Sequence, residues 1–220
     1  MNEADSWDAE YNAGRYERES SVPFVGDILA AARSHGLIDR PGLYIGCGNG
    51  RNYLPLVEGG LDLIGLDISS VAIDQLGQKI PERRSKLIAG DLSALPADAL
   101  FPTVIGIQVF QHGDRHTAHQ HLRAAQERVA VGGLFCLRVN AVGTDIEHAH
   151  QTTEQDSDGS LTARYSDGPK AGLDVHFFSE IELAQFFDGW KPVLSLRPQI
   201  TRRTPNDRGQ WTQWEAIWQR

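Results

Sequence analysis

The sequence predicts an α/β fold: a mostly parallel sheet with helices packed on both faces. Two observations carry this. Short apolar runs recur at 43–45, 61–66, 86–89, 103–110 and 134–139, with helix-forming stretches between most of them. Repeated strand–helix units of this kind pair in parallel, because each crossover returns the chain in the same direction. The first three runs lead straight into Gly46, Asp67 and Gly90-Asp91. Sheets of this type bind ligands beyond the carboxyl ends of their strands, so these are the positions where a ligand site is expected.

The elements follow in order. Residues 1–20 are charged and carry Trp7, Tyr11 and Tyr16. A helix is expected over 22–35, where Phe24, Ile28 and Ala31 share one side with Val25, Leu29 and Ala32 beside them. Leu43-Tyr44-Ile45 reads as a short buried strand. The helix near 50–58 that follows must be short, because Pro55 is tolerated mainly in a first turn. Residues 61–66 form a second strand ending at Asp67, and Ser69 or Ser70 caps a helix to about Lys79. A third strand is expected at 86–89 and a fourth at 103–110. Asp114 caps a helix that places Ala118, Leu122, Ala125 and Val129 on one face, and Gly132-Gly133 is expected to stop it before a fifth strand at 134–139.

Residues 141–176 break the alternation. They are rich in Asp, Thr, Ser, Gly and His, and Gly168-Pro169 suggests a turn between extended pieces near 161–165 and 173–178. Ser179-Glu180-Ile181-Glu182 is a capping-box pattern, flanked by Phe178 and Leu183 as a hydrophobic staple, and opens a helix through Phe187. Residues 192–196 and 211–218 read as two last strands, the second alternating Trp214, Ala216 and Trp218 against Gln213, Glu215, Ile217 and Gln219.

Composition narrows the function. A length of 220 residues suits one large domain, and 40% apolar with 23% charged residues is ordinary globular usage. No apolar run approaches the ~18–20 residues needed to cross a bilayer. The polar, acidic start Met1-Asn2-Glu3-Ala4-Asp5 does not resemble a secretory leader. Two cysteines, Cys47 and Cys136, both in apolar surroundings, suggest no disulfide framework and fit a cytoplasmic protein. A net charge of −8, with only short basic pairs at Arg83-Arg84 and Arg202-Arg203, disfavours a nucleic-acid partner and favours a small-molecule substrate. No membrane partner is expected, and the oligomeric state is left open.

The glycine run Gly46-Cys47-Gly48-Asn49-Gly50 directly after the first strand lets backbone press against a nucleotide-like ligand and turn into a helix N-terminus. Asp67, 21 residues after Gly46, can accept both hydroxyls of a ribose. Asp91 can accept from an adenine amino group, or cap a turn. Three adjacent strand ends carrying glycines, an acid and an acid resemble the class I S-adenosylmethionine-dependent methyltransferases. Val104 to His112 is similar to the family's fourth strand with its following histidine, and Gly132-Gly133-Leu134 to the turn before its fifth.

That resemblance implies a doubly wound, Rossmann-like sheet of seven strands, mostly parallel with an antiparallel last strand. It also implies a single domain over 1–220: an arm and helix at 1–40, a cofactor core at 41–140, a substrate-lid insertion at 141–176, and a terminal helix and strand pair at 177–220. S-adenosyl-L-methionine is the implied cofactor. Gly46, Gly48, Asn49 and Gly50 would approach its methionine part, with Gln108 nearby. Asp67 would hold the ribose, Ile68 would lie beside the adenine, and Asp91 and Leu92 would read its edge. Tyr16, with Tyr11 and Arg15, lies where family members fold a segment over the cofactor, and an aromatic there could cover the sulfonium. Pro102-Thr103 departs from the acid that often begins strand four.

His112 is the candidate base for an acceptor that arrives protonated, with His148, His150, Tyr165 and His176 as further polar groups of the insertion. His112, His116, His119 and His121 cluster in sequence, but His119 and His121 fall on different helix faces and nothing completes a ligand set, so no metal is expected. An NAD-dependent oxidoreductase is a rival reading, yet the sixth position of its G-x-G-x-x-G fingerprint is Arg51 here. A catalytically silent S-adenosylmethionine-binding protein is the other.

Overall fold

A short strand buried on both faces needs a continuous apolar run, and Pro41–Ile45 (β1) meets that condition with Leu43 and Tyr44 almost fully buried. The computed structural model describes residues 3–17, 19–168, 170–203 and 209–220; Met1 and Asn2 of the acidic start, and Pro169 of the expected turn, lie outside them. β1 pairs in parallel with β2 (Asp62–Asp67) on one side and β4 (Phe101–Ile107) on the other, and β2 pairs in parallel with β3 (Leu87–Ala89). With β5 (Val129–Asn140), β9 (Lys191–Arg202) and β10 (Gln210–Gln219) they form a seven-stranded sheet in the order β3-β2-β1-β4-β5-β10-β9. β9 and β10 run antiparallel. The order reverses at β1, which has β2 on one flank and β4 on the other, and this is the switch point of a doubly wound sheet.

Contacts divide the chain into two compact units. One holds residues 1–106, 127–135 and 220; the other holds 107–126 and 136–219. The first contains α1 (Glu3–Asn12), α2 (Phe24–Ser34), α3 (Tyr53–Glu58) and α4 (Ser70–Lys79). Phe24, Ile28, Ala31 and Ala32 of α2 are buried, as their spacing predicts. Pro55 is the third residue of the six-residue α3, inside its first turn. Ser69 caps α4, its hydroxyl accepting from the Ala72 amide at 3.1 Å. The Tyr53 hydroxyl donates to the Leu63 carbonyl at 2.7 Å, satisfying the one polar atom of a buried ring.

The second unit contains α5 (Arg115–Glu127), α6 (Glu180–Phe186) and a separate antiparallel sheet of β6 (His150–Gln155), β7 (Leu161–Tyr165) and β8 (Asp174–Phe177). Asp114 caps α5 through the Thr117 amide, and the Ser179–Glu182 capping box is formed. The 141–176 segment is thus a small sheet closed over Ala163, Tyr165, Val175 and Phe177, with β6 in addition to the two extended pieces expected.

Three details differ from the sequence reading. Helix α5 ends at Glu127, so Val129 belongs to β5 and not to the helical face its spacing suggests. Gly132-Gly133 lies inside β5 and does not stop a helix; Gly132 has φ +76°, and a Cβ on Gly133 would fall 2.9 Å from the Pro102 and Ala130 carbonyl oxygens, so the pair marks a kink where backbone packs on backbone. The alternation along β10 does not give one wet face: Thr212 to Trp218 are all buried. The cause is polar pairing, since Arg138 donates to Glu215 at 2.7 Å and to Gln213 at 3.0 Å.

Candidate functional site

In the first unit the strand register sets the site. Ile45 of β1 lies opposite Leu66 of β2 and Gly106 of β4, and Asp67 lies opposite Ala89 of β3. Gly46, Asp67 and Gly90 therefore leave neighbouring strands at one edge. The turn after β1 begins with the Gly46 and Cys47 amides donating to the Leu66 carbonyl at 2.7 and 3.1 Å. Gly46, Gly48 and Gly50 all have positive φ, at +72°, +54° and +101°. At Gly48 the requirement is double, because a Cβ there would also lie 2.6 Å from the Tyr11 hydroxyl.

Asp67 is buried, and its two oxygens are each held by one amide: Oδ2 by Gly48 N–H at 2.8 Å and Oδ1 by Ser69 N–H at 2.9 Å. Burial raises its pKa from the ordinary value, against the pull of those two amides. An ionised carboxylate has about four acceptor sites, so one remains on each oxygen for a vicinal diol. The glycine turn and this oriented carboxylate fit the methionine and ribose parts of S-adenosylmethionine. Ile68 is half-buried beside it.

Asp91 is exposed and caps the short 3₁₀ turn Leu92–Ala94, accepting at Oδ1 from the Ser93 amide at 2.8 Å and hydroxyl at 2.5 Å. The capping alternative is thus realised, and Leu92 is half-buried within that turn. Asn49 is buried with its side-chain amide directed at the Arg15 carbonyl (3.5 Å) and Gln75 (3.3 Å), so the side chain binds protein. Arg51, the residue that breaks the dinucleotide fingerprint, donates to the Ser20 carbonyl at 2.7 Å and pairs with Glu19.

Helix α1 carries no helical apolar pattern in its sequence. Asp8 accepts from the Ser69 hydroxyl at 2.5 Å and the Val71 amide at 3.2 Å, and the Tyr11 carbonyl accepts from Gln75 at 3.1 Å. These bonds set α1 on the amino end of α4 and bring Tyr11, rather than Tyr16, onto Gly48. Tyr16 is half-buried with φ +66°, its ring 6.0 Å from that of Tyr11 and 5.4 Å from the Arg15 guanidinium carbon.

In the second unit, Gln108 has φ +58°, a conformation that strains a residue with a Cβ and recurs at functional positions. Its amide donates to the Arg138 carbonyl at 2.7 Å, and its carbonyl bonds the His112 ring. His112 is buried, and burial, with Lys170 and His121 adding to it, holds its pKa down to about 3. The imidazole is neutral at ordinary pH. His116, His121, His148 and His150 are exposed. Tyr165 belongs to the core of the small sheet.

His119, His176 and Glu182 come together, which sequence spacing did not reveal. His119 Nε2 is 2.5 Å from Glu182 Oε1, and His176 Nε2 is 3.1 Å from Oε2. Burial opposes ionisation of Glu182, but the two imidazoles outweigh it and hold the carboxyl at about 2. The capping box had located Glu182, yet nothing in sequence shows that a residue 63 positions earlier would meet it.

Sheet order, glycine turn and oriented acid define a Rossmann-like class I methyltransferase fold. Residues 43–133 match the family model described as "Methyltransferase domain". Solved structures of similar fold include TehB from Haemophilus influenzae (19% identity, TM-score 0.64, covering 97% of this chain and 67% of that one). Another is the 1,6-didemethyltoxoflavin-N1-methyltransferase of Burkholderia thailandensis, with bound 1,6-didemethyltoxoflavin and S-adenosylhomocysteine (18%, 0.65, 99% and 87%). A third is the CcbJ methyltransferase from Streptomyces caelestis (18%, 0.63, 100% and 99%). A search of curated proteins gives no match. Residues 43–133 thus carry a methyltransferase domain, and the fold is the one found in S-adenosylmethionine-dependent methyltransferases. Among the described residues, no helix is long and apolar enough to cross a membrane.

Proposed function

We propose that the protein transfers the methyl group of S-adenosylmethionine to a small-molecule acceptor. The observation that carries the reading is Asp67: a buried carboxylate aimed by the Gly48 and Ser69 amides, on the strand next to a turn with three positive-φ glycines. The acceptor class rests on the net charge of −8 and on the small molecule bound to the Burkholderia thailandensis relative.

Bound S-adenosylmethionine supplies a methyl carbon already activated by its sulfonium. The chain's own task is alignment and exclusion of water. Asp67 would accept from the ribose hydroxyls, with Ile68 and Leu92 against the adenine and Asp91 at its edge. Gly46, Gly48, Asn49 and Gly50 would line the methionine part through their main chain, with Tyr11 and Tyr16 as cover; Gln108 keeps the role that the family resemblance implies for it. His112 accepts a hydrogen bond from the group to be methylated. A base held at about 3 is a poor sink for a whole proton at neutral pH, so orienting the acceptor suits it better than general-base catalysis. The 141–176 segment supplies the acceptor's surroundings.

Calorimetry with S-adenosylhomocysteine should give a Kd of about 10 μM or tighter, and NADH none; the reverse would overturn the reading. Transfer from methyl-labelled donor into a fractionated cell extract should place label in the small-molecule fraction. Label confined to protein or nucleic acid would overturn the acceptor class.

A further inference from the structure

We propose that the second unit holds one divalent transition-metal ion of the zinc class, ligated by His119 Nε2, His176 Nε2 and the Glu182 carboxylate. The three residues come from α5, β8 and the first turn of α6, and one ligand atom from each lies within 4.8 Å of the others. Ligands about 2.0–2.1 Å from a tetrahedral zinc stand roughly 3.3 Å apart, which small rotations of these side chains reach. Two imidazoles and a carboxylate are a borderline-soft set that suits zinc over calcium or magnesium.

The hydrogen-bond chain behind His176 fixes its tautomer. Thr162 Oγ1 donates to Glu154 Oε2 at 2.9 Å, because an ionised carboxylate only accepts. Its hydroxyl oxygen must then accept from His176 Nδ1, 3.0 Å away. With the Nδ1 proton committed there, Nε2 points at the Glu182 carboxylate carrying either a second proton or a lone pair. A lone pair against a buried carboxylate is repulsive unless a cation lies between them. A histidine oriented through its far nitrogen by a hydroxyl and a carboxylate is the usual support for a metal ligand.

The surroundings favour a held ion. His176 and Glu182 are 1% and 2% exposed, and the His119 ring packs edge-on to Phe186 at 4.6 Å and near-parallel to Phe178 at 6.3 Å. Three protein ligands leave one position for water, on the side of His119, whose side chain is 15% exposed. The opposing charge is Arg115, whose Nε lies 3.2 Å from Glu182 Oε1. Arg115 also pairs with Asp156 at 2.8 Å, so it keeps a carboxylate when the ion takes Oε1. Asp114 and Asp158 add negative charge around the pair.

The rival arrangement is a metal-free ion pair, with Glu182 between two imidazolium rings. The full-length protein, stripped with a chelator, should bind one zinc from zinc chloride with a Kd of about 1 μM or tighter. Cobalt chloride should give the visible bands of a four-coordinate ion, and zinc should raise the melting temperature. Glu182→Gln keeps the capping box, since glutamine serves at that position, and should weaken zinc binding at least 100-fold. His119→Gln should do the same, while His121→Gln, exposed on the same helix, should leave affinity unchanged. No zinc bound at 100 times the expected Kd, or an affinity in Glu182→Gln and His119→Gln equal to the parent's, would overturn the proposal. Nitrogen-15 shifts showing both rings doubly protonated and unmoved by zinc would establish the ion pair instead.

Discussion

At the residue scale, Asp67 and His112 make opposite uses of burial. Asp67 is a buried acid kept useful by two amides. Removing its side chain deletes two charge-assisted bonds to a diol, each worth roughly 1.5–3 kcal/mol. Asp67→Ala should therefore weaken S-adenosylhomocysteine by more than tenfold in calorimetry, and Asp91→Ala by less, because Asp91 is exposed and partly spent on its own turn. Equal affinities for Asp67→Ala and the parent would show that the ribose is held elsewhere. His112 is buried as a neutral ring, with a pKa near 3 against about 6.5 in an unfolded chain. Between those values the unfolded state takes a proton that the native state refuses, so stability falls as pH falls. From pH 7 to 5 this one group should remove about 2 kcal/mol, and His112→Asn should flatten the urea-denaturation profile by that amount. In turnover, asparagine should retain most of the rate and alanine lose it, if the ring only orients. The glycines and Asp67 were legible in sequence because each is tied to a strand end by local spacing. The partners of the Asn49 side chain were not, because they are Arg15 and Gln75, 34 and 26 residues away.

At the scale of elements, the sequence is most readable where a helix carries its own signals. Ser69, Asp114 and the Ser179–Glu182 box all cap as their spacing predicts. It is least readable where polar groups are satisfied at long range. Gln213 and Glu215 look like the wet side of a strand until Arg138, some 75 residues earlier, is placed against them. Helix α1 is a similar case: its weak apolar patterning gives no signal, and its place is set by hydrogen bonds to α4. Asp8→Ala removes the acceptor facing the Ser69 hydroxyl and the Val71 amide, a loss comparable to that of a helix cap at about 1 kcal/mol. The melting temperature should drop by roughly 2–4 °C, and limited proteolysis should cut within the first 20 residues sooner than in the parent. An unchanged cleavage rate would mean that Asp8 does not hold the helix.

For the molecule as a whole, a mostly parallel sheet could be read from the alternation of strands and helices, whereas its seven strands and antiparallel end followed from the family resemblance, and the strand order came from the structure. The three-stranded sheet at 150–177 could not be read in full, since β6 is exposed throughout and carries no apolar pattern to betray it. Ligand binding adds to the stability of whichever state it selects. At 100 times its Kd, S-adenosylhomocysteine should contribute about 2.7 kcal/mol and raise the melting temperature by roughly 5–10 °C. Asp67→Ala should abolish most of that increase at the same ligand concentration. The docking of α1 also has a bearing on how the chain comes to be folded. Its ten residues leave the ribosome before α4 does, and Ser69 and Gln75, to which it bonds, lie 61 and 64 residues downstream of their partners. A helix that short is marginal alone in water. It must wait, unstructured, until α4 has emerged, so a segment synthesised well before its partner is among the last in this unit to find its place.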